Sequence, residues 1–366
     1  MARKNMGKVK HYSRSFYTGG QRVKRIAGVA VLLVGLFLVG WLAGPAVIDF
    51  GTSTWYKLKG MGQEEQQAES DPTANSEEQQ AVEQTTQPPE DSSQTADPVD
   101  EPVQNPGEGG WAFVSVTSMQ SPEQAAETAA QLAADGVRYA VLPFKDEQGY
   151  VYYNSQLPEA QAGLSSTLFD PAVAAAALKE QGVIPVASIS AFKDPTAAAA
   201  SRSMAVKYQN EDFLWLDTTR EKGGKPWLSP ASEQAVQYIV GLIDEAKSFG
   251  FDEIWLSHVQ FPPALGRDAA NFGDMNGRNK SQVLADALAV FQEHADCWVE
   301  CPLFEAAKGP GSATLNADPG ALGIKRLVLS TGEAADPEVL TATVDTARAS
   351  GAQVIALLEG TQFTLQ

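Results

Sequence analysis

The stretch FDEIWLSHVQFPP, at Phe251–Pro263, decides the fold. Its centre, Ile254–Leu256, is a short apolar run, followed by a polar cluster and two prolines. A short apolar run closed by prolines is typical of a buried strand that runs into a loop. In parallel α/β proteins the functional residues lie at the C-terminal ends of the strands. The polar residues that follow Leu256 are therefore the first candidates for a functional site.

Strand-like runs alternate with helix-like segments from residue 110 onward. Repeated strand–helix units predict a parallel sheet, and roughly 250 residues suit one closed α/β barrel. We predict an α/β fold, a (β/α)8-type TIM barrel over residues 110–366, with an eighth strand that is either missing or hidden in Gln362–Leu365. The clear predicted strands are Ala112–Thr117, Tyr139–Phe144, Ile184–Ile189, Ile254–Gln260, Trp298–Phe304, Arg326–Leu329 and Val354–Leu358.

Helix starts carry a repeated signal, an N-cap oxygen directly before a proline. The N-cap side chain accepts a hydrogen bond from the first turn, and proline suits the first helical position. The four N-caps predicted in this way are Ser121, Asp170, Asp194 and Asp336.

The formal charge of −18 over 366 residues is unevenly distributed. Residues 1–60 carry +9, residues 61–110 carry −13, and residues 111–366 carry −14. A nucleic-acid surface needs a high density of basic side chains. We therefore expect no nucleic-acid partner for the acidic C-terminal part.

The N-terminal region has the pattern of a membrane anchor. Residues 26–48 contain no charged side chain, and at about 1.5 Å per residue such a helix crosses the roughly 30 Å of a bilayer core. A basic segment, residues 1–25, precedes it, which predicts a cytoplasmic N-terminus and an extracellular C-terminal domain in the cell membrane. A cleaved signal peptide is the alternative, but its apolar region is usually shorter.

A polar linker connects the predicted anchor to the barrel. Residues 61–109 are rich in Gln, Glu, Ser, Thr and Pro and contain no aromatic residue. Such a composition buries too little apolar surface to offset the entropy of ordering. We predict an acidic, disordered linker over residues 49–109; an acidic binding tail is the alternative.

The sequence offers no pattern for a metal or cofactor. Cys297 and Cys301 lie four positions apart in a predicted strand, about 13 Å from each other, too far for a disulfide. We expect two buried free thiols. The histidines His11, His258 and His294 show no ligand spacing, and no glycine-rich phosphate loop follows the first strand. We therefore expect no metal and no cofactor.

Four motifs in order carry a family resemblance. They are VRYAVLPFKDEQGYVYYNS at Val137–Ser155, VIPVASISAFKDP at Val183–Pro195, KPWLSP at Lys225–Pro230, and the stretch at Phe251–Pro263. Together they resemble the second strand, third strand, Trp-x-Asn-Pro turn and fourth strand of a family of glycoside-hydrolase-like domains in bacterial envelope proteins. The resemblance implies a TIM barrel distantly similar to the α-amylase-type barrels, with polysaccharide or cell-wall glycan as its partner.

The chain departs from this family at the positions where the resemblance implies charged or polar groups. In the fourth strand, Ser257 replaces an aspartate, His258 a tyrosine and Gln260 an arginine. Pro143 replaces an acid of the second strand, and Ser188 an arginine of the third. Glycoside hydrolysis uses two carboxyl groups that flank the bond, so these replacements predict that catalysis is degraded.

The remaining acids leave one candidate catalytic pair, Glu300 with Asp146. Ser257 and His258 are neighbours in a predicted strand and should point to opposite faces, which argues against a Ser-His pair. Glu305 and Glu359 are expected to be solvent-facing loop acids. The predicted substrate-binding residues are Lys145, Trp227, Trp255, Ser257, His258 and Gln260.

Three hypotheses about function remain open at this point. The first is a membrane-anchored barrel that binds glycan but has lost catalysis. The second is an active glycosidase with a rearranged carboxylate pair, and the third is a stalked scaffold or protein-interaction module. The replaced positions favour the first over the second, and a mouth lined by aromatic side chains would favour the first over the third.

Overall fold

The structure is a computed structural model, and it describes residues 106–209, 211–263 and 269–366. The predicted cytoplasmic tail at 1–25, the transmembrane helix at 26–48 and residues 49–105 of the linker lie outside the described residues. Among the residues that are described, no helix has both the length and the apolar character needed to cross a membrane.

Ten strands are present in the described part of the chain. Eight of them form one sheet in the order β1-β2-β3-β5-β7-β8-β9-β10, while β4 and β6 form a separate antiparallel pair. The strands are β1 (Gly110–Phe113), β2 (Val137–Lys145), β3 (Ile184–Ser190), β4 (Lys207–Tyr208), β5 (Glu253–Ser257), β6 (Ala270–Asn271), β7 (Asp296–Pro302), β8 (Arg326–Thr331), β9 (Val354–Glu359) and β10 (Gln362–Leu365).

The large sheet is barrel-like and nearly closed. All neighbours from β1 to β9 are parallel, and β10 is antiparallel to β9. Across the closing edge, Trp111 of β1 stacks on Phe363 of β10, with ring centroids 4.1 Å apart. The eighth strand lies in Gln362–Leu365, which the sequence offered as the alternative to a missing strand, but it does not complete an all-parallel barrel. Only two residues join β9 to β10, and so short a connection can only form a hairpin.

Seven α-helices accompany the sheet in the described residues. Ser121, Asp170, Asp194 and Asp336 accept hydrogen bonds from first-turn N–H groups, which confirms the four predicted N-caps. The helices are α1 (Pro122–Ala134), α2 (Pro171–Glu180), α3 (Pro195–Ala200), α4 (Glu233–Ser248), α5 (Lys280–His294), α6 (Leu303–Ala306) and α7 (Pro337–Ser350).

Large side chains fill the interior of the barrel. Trp255 and Trp298 are paired in register on β5 and β7, and both are buried there. The Trp298 indole N–H donates to Glu253 Oε2 at 2.7 Å. Because the interior is filled by these side chains, a functional site lies at the ends of the strands. Cys297 and Cys301 are free and buried in the layer between sheet and helices, as predicted.

The N-terminal boundary of the domain lies slightly earlier than the sequence indicated. The N–H of Gly107 donates to the Tyr139 hydroxyl at 3.0 Å, and its carbonyl accepts from the Trp111 indole at 3.1 Å. Gly107 has a φ of +88°, and a Cβ there would lie 2.7 Å from the Trp298 ring. Residues 107–109, which we assigned to a disordered linker, therefore belong to the fold.

Candidate functional site

The candidate site is the mouth of the barrel, where the parallel strands end. Side chains alternate along a strand, so Ser257 and Glu300 face the same interior as Trp255 and Trp298, two residues nearer the C-terminal ends. The adjacent residues Leu256 and Val299 are paired in register. Ser257 and Glu300 are therefore close neighbours across β5 and β7.

Glu300 is held at this inner face by a hydrogen bond. Its Oε2 accepts from the Trp255 indole N–H at 2.9 Å, and the side chain is half-buried. Glu300 therefore points into the barrel. Trp255 itself is only 2% exposed, so its ring cannot stack on a sugar and instead orients the carboxylate.

An open pocket of about 540 Å³ lies beside Glu300, at the ends of β7, β8 and β9. Phe304, which also lines it, is 63% exposed. We did not predict Phe304 as a site residue, although an aromatic side chain just after a strand end could have indicated it. Phe113 at the end of β1 is also exposed, and it packs edge-on to Trp255 at 5.5 Å. The pocket is lined by Glu300, Pro302, Leu303, Phe304, Ser330, Thr331, Gly332, Glu333, Ala334, Ala335, Asp336, Val339, Leu358 and Gly360.

A second cavity, of about 300 Å³, lies between α4 and α5. None of the predicted site residues lines it. We therefore assign the candidate site to the pocket beside Glu300.

Asp146, the predicted partner of Glu300, is engaged in its own loop. Its Oδ1 accepts from the N–H groups of Gln148 and Tyr150, both at 2.9 Å, and its Oδ2 accepts from the Tyr152 hydroxyl at 2.7 Å. Burial and this carboxylate raise the pKa of Tyr152 to about 12. Asp146 and Glu300 thus have separate partners, and the contacts do not bring them together.

Lys145 is part of a buried ion pair behind the sheet. Its Nζ donates to Asp194 Oδ2 at 2.9 Å and to the Ala191 carbonyl at 3.1 Å, and it lies 5.4 Å from the Tyr238 ring. Burial lowers the pKa of Lys145, while Asp194 acts in the opposite direction. Since Asp194 Oδ1 also accepts from the N–H of Ala197, the pair fixes the start of α3. Lys145 is not placed to touch a ligand at the mouth.

Two other predicted binding residues are also buried. Trp227 is 1% exposed, and its indole N–H donates to Asp217 at 3.1 Å. Gln260 is 6% exposed. A polar side chain can be buried where it finds hydrogen-bonding partners inside the fold. The sequence alone does not show which polar side chains have such partners.

Glu305 and Glu359 were both predicted to be solvent-facing loop acids. Glu305 is not, and Glu359 is so only in part. The prediction that Glu305 faces solvent is wrong: it is 6% exposed and accepts from the hydroxyls of Ser312 and Thr314. Its second oxygen pairs with Lys308 at 2.8 Å. Glu359 is half-buried and accepts from the N–H of Ala335. Both carboxylates stabilise loops at the C-terminal side of the sheet.

His258 is the centre of a polar cluster at the mouth. Its Nδ1 lies 3.1 Å from Ser257 Oγ and 3.1 Å from Ser190 Oγ, and its Nε2 lies 3.5 Å from Glu147 Oε2. Glu147 in turn pairs with Lys193 at 2.7 Å. The prediction that Ser257 and His258 point apart is therefore wrong. The strand ends at Ser257, and His258 has a φ of +55°, so strand alternation stops between them.

The electrostatic setting keeps His258 neutral. Burial and the nearby Lys193 lower its pKa to about 4, although Glu147 acts in the opposite direction. At pH 7 one ring nitrogen therefore carries a proton and the other a lone pair. In the described residues, no group of three His, Cys, Asp or Glu side chains is arranged to hold a metal ion.

The fold defines an α/β-barrel protein with its candidate site at the C-terminal ends of the strands. Residues 112–300 match the model of the family described as "Putative glycosyl hydrolase domain". The match covers more than half of the chain, and the chain belongs to this family. The expectation from the four sequence motifs is thereby confirmed.

Comparisons with other proteins add similarities of low identity. A hypothetical protein from Ruminiclostridium thermocellum is 21% identical, with a TM-score of 0.44 over 51% of this chain and 95% of that one. An exo-β-N-acetylglucosaminidase from Vibrio harveyi is 10% identical, with a TM-score of 0.46 over 69% of this chain and 41% of that one. A variant of the glycoside hydrolase domain of PelA from Pseudomonas aeruginosa is 16% identical, with a TM-score of 0.39 over 68% and 83%. No curated protein matches the chain.

Proposed function

We propose that this chain is a membrane-anchored, extracellular glycan-binding protein whose glycosidase machinery is degraded. In this proposal residues 1–25 are cytoplasmic, residues 26–48 span the membrane, residues 49–106 form an acidic stalk, and the barrel lies outside the cell. The ligand is a polysaccharide or cell-wall glycan. The observation that carries the proposal is the open pocket at the mouth, with exposed Phe304 beside the inward-facing Glu300.

The inner face of the mouth gives the reason for lost hydrolysis. A glycosidase of the usual kind needs a second carboxyl group across the bond from the first. Pro143, Ser188 and Ser257 stand at the strand ends where the family resemblance implies charged side chains. The oxygens of Asp146 already accept three hydrogen bonds within its loop. Since catalytic groups act as a unit, Glu300 without such a partner supports binding rather than turnover.

The pocket has the composition that a sugar ring requires. The apolar face of a sugar stacks on an aromatic ring, and its hydroxyls need hydrogen-bonding partners. Phe304 offers the ring, and Ser330, Thr331 and Glu333 line the same pocket with polar groups. Trp227 and Trp255, which we predicted to bind substrate, are buried. We therefore assign the ring that stacks on the sugar to Phe304.

The test uses the full-length chain in detergent and a panel of cell-wall, plant and storage glycans. We expect binding to at least one glycan without release of sugar. Phe304→Ala should weaken that binding about fivefold, because a ring contact contributes about 1 kcal/mol. Phe213→Ala is the matched control, since Phe213 is 66% exposed and does not line the pocket.

Other outcomes select the alternatives. Sugar release that disappears in Glu300→Gln would establish an active glycosidase. The absence of binding to every glycan would instead favour a scaffold. Protease added to intact, wall-stripped cells should remove the barrel domain, and a protected domain would contradict the proposed orientation.

A further inference from the structure

Three side chains from two strand ends meet at the mouth of the barrel. Ser257 ends β5, His258 follows it, and Glu147 lies in the loop after β2. The imidazole lies between the other two, with Nδ1 3.1 Å from Ser257 Oγ and Nε2 3.5 Å from Glu147 Oε2. A hydroxyl, a base within hydrogen-bond reach and a third group that orients the base are the parts of an activated nucleophile.

Hydrogen-bond partners decide which serine can react. Ser190 also lies 3.1 Å from Nδ1, but its hydroxyl donates to the Lys193 carbonyl at 3.0 Å and its side chain is 2% exposed. Ser257 is half-buried and faces the open end of the barrel. Ser257 is therefore the hydroxyl that both a substrate and His258 can reach.

The carboxylate of Glu147 favours one arrangement of the ring protons. A proton on Nε2 faces Glu147, which leaves the Nδ1 lone pair directed at Ser257. Lys193 holds Glu147 in place at 2.7 Å. The positive φ of His258 is what turns its ring back toward Ser257, so the backbone at this position serves the cluster.

We propose that Ser257, His258 and Glu147 form a hydrolytic site that cleaves small acyl esters. Ser257 Oγ bonds to the ester carbonyl carbon while its proton passes to His258 Nδ1. The C–O bond to the alcohol then breaks, and the leaving alkoxide takes this proton. Water attacks the acyl-serine carbon and gives a proton to Nδ1, and the Ser257 oxygen leaves and recovers it. The net reaction consumes an ester and water and produces an alcohol and an acid.

The surroundings of Ser257 define the class of ester. Trp255 is buried in the barrel interior directly below Ser257, which limits the space for the acyl group, and we therefore assign a short one such as acetyl. Glu300, its neighbour across the strands, lines the open pocket together with Glu333. The negative charge of these carboxylates disfavours an ester whose alcohol portion is anionic. An O-acetyl group on a neutral or cationic sugar meets both conditions, and this identification of the alcohol rests on the proposed glycan-binding function.

The test needs no glycan, so its failure is distinct from a failure of glycan binding. The full-length chain in detergent is treated with a fluorophosphonate, and the labelled peptide is identified by mass spectrometry. We expect one adduct, on Ser257, and hydrolysis of p-nitrophenyl acetate that is lost in Ser257→Ala. His258→Gln should slow labelling at least tenfold. Glu147→Gln should slow it less, and Glu147→Asp should restore part of the rate.

Controls separate the site from general reactivity and from misfolding. The heat-unfolded chain should give no adduct, and each variant should keep the unfolding transition of the wild type at pH 7.5 to within a few degrees. Ser190→Ala should still be labelled on Ser257. No adduct on the folded chain, an adduct on Ser190 or elsewhere, or a labelling rate that His258→Gln leaves unchanged would each overturn the proposal.

Discussion

Replacing Lys145 by methionine should strongly destabilise the barrel domain. The side chain is 1% exposed, and its ammonium group donates to Asp194 at 2.9 Å and to the Ala191 carbonyl at 3.1 Å. Methionine fills a similar volume but leaves the Asp194 carboxylate buried without its counter-charge. Removing one partner of a buried ion pair costs about 3–5 kcal/mol. For a domain of this size, that corresponds to a decrease in Tm of roughly 6–20 °C.

The assay is urea and thermal unfolding of the wild type and the variant, followed by circular dichroism at pH 7. Lys179→Met is the matched control, because Lys179 pairs with Asp252 at 2.8 Å but the two side chains are 46% and 72% exposed. A surface pair of this kind contributes about 0–1 kcal/mol. Burial, not the ionic contact itself, therefore accounts for the expected difference between the two lysines.

A double variant tests the cause of the loss. Asp194→Asn removes the unpaired charge and keeps an oxygen that can accept from the N–H of Ala197 at the start of α3. Adding it to Lys145→Met should recover part of the lost stability. If Lys145→Met and Lys179→Met lower the free energy of unfolding by the same amount, burial of the ion pair is not the cause of the loss.

Two further predictions concern acid sensitivity and close packing. The pKa of His258 is about 4 in the fold and about 6.5 in the unfolded chain. The unfolded chain therefore binds more protons between these values, so the contribution of His258 to stability is complete above pH 6.5 and falls by up to about 3 kcal/mol as the pH approaches 4. His258→Gln should flatten this part of the stability–pH curve, and equal slopes in urea titrations of both proteins would contradict the assignment. Gly163→Ala should cost about 1–3 kcal/mol, because its Cβ would lie 2.0 Å from the Gly149 carbonyl oxygen. Gly311→Ala, where a Cβ meets nothing within 4 Å, should change the unfolding free energy by less than about 0.5 kcal/mol, and similar losses in the two variants would exclude the clash as the cause.

Local patterns predicted the elements of the fold because the forces behind them are local. An N-cap oxygen and a following proline act within one helical turn, and Ser121, Asp170, Asp194 and Asp336 all cap helices as predicted. Apolar runs located seven strands of the sheet, whereas the eighth, at Gln362–Leu365, was left open as either missing or hidden. The strand ends were less accurate: the predicted strand Ile254–Gln260 stops at Ser257 in the structure.

The family could also be predicted from the sequence, since four ordered motifs carry it and the family match over residues 112–300 confirms it. The motifs identified the strand ends of the site and the replacements at Pro143, Ser188 and Ser257. They gave no indication of which side chains remain open to a ligand. Whether a side chain is buried depends on the loops and helices that pack over it, and the sequence does not show these contacts. For this reason Trp227 and Lys145, which are buried, were assigned to the site, while the exposed Phe304 was missed.

The sequence by itself determined the strand–helix order, the helix starts and the family of this chain, because spacing and capping encode them over a few residues. Only the tertiary structure decided the direction of β10, the burial of Glu305 and the meeting of Ser257, His258 and Glu147. Each of these depends on contacts between segments far apart in the chain, or on a left-handed backbone at a residue other than glycine. A strand pattern assumes regular alternation, and at the mouth of this barrel the alternation ends at the residue where the polar cluster begins.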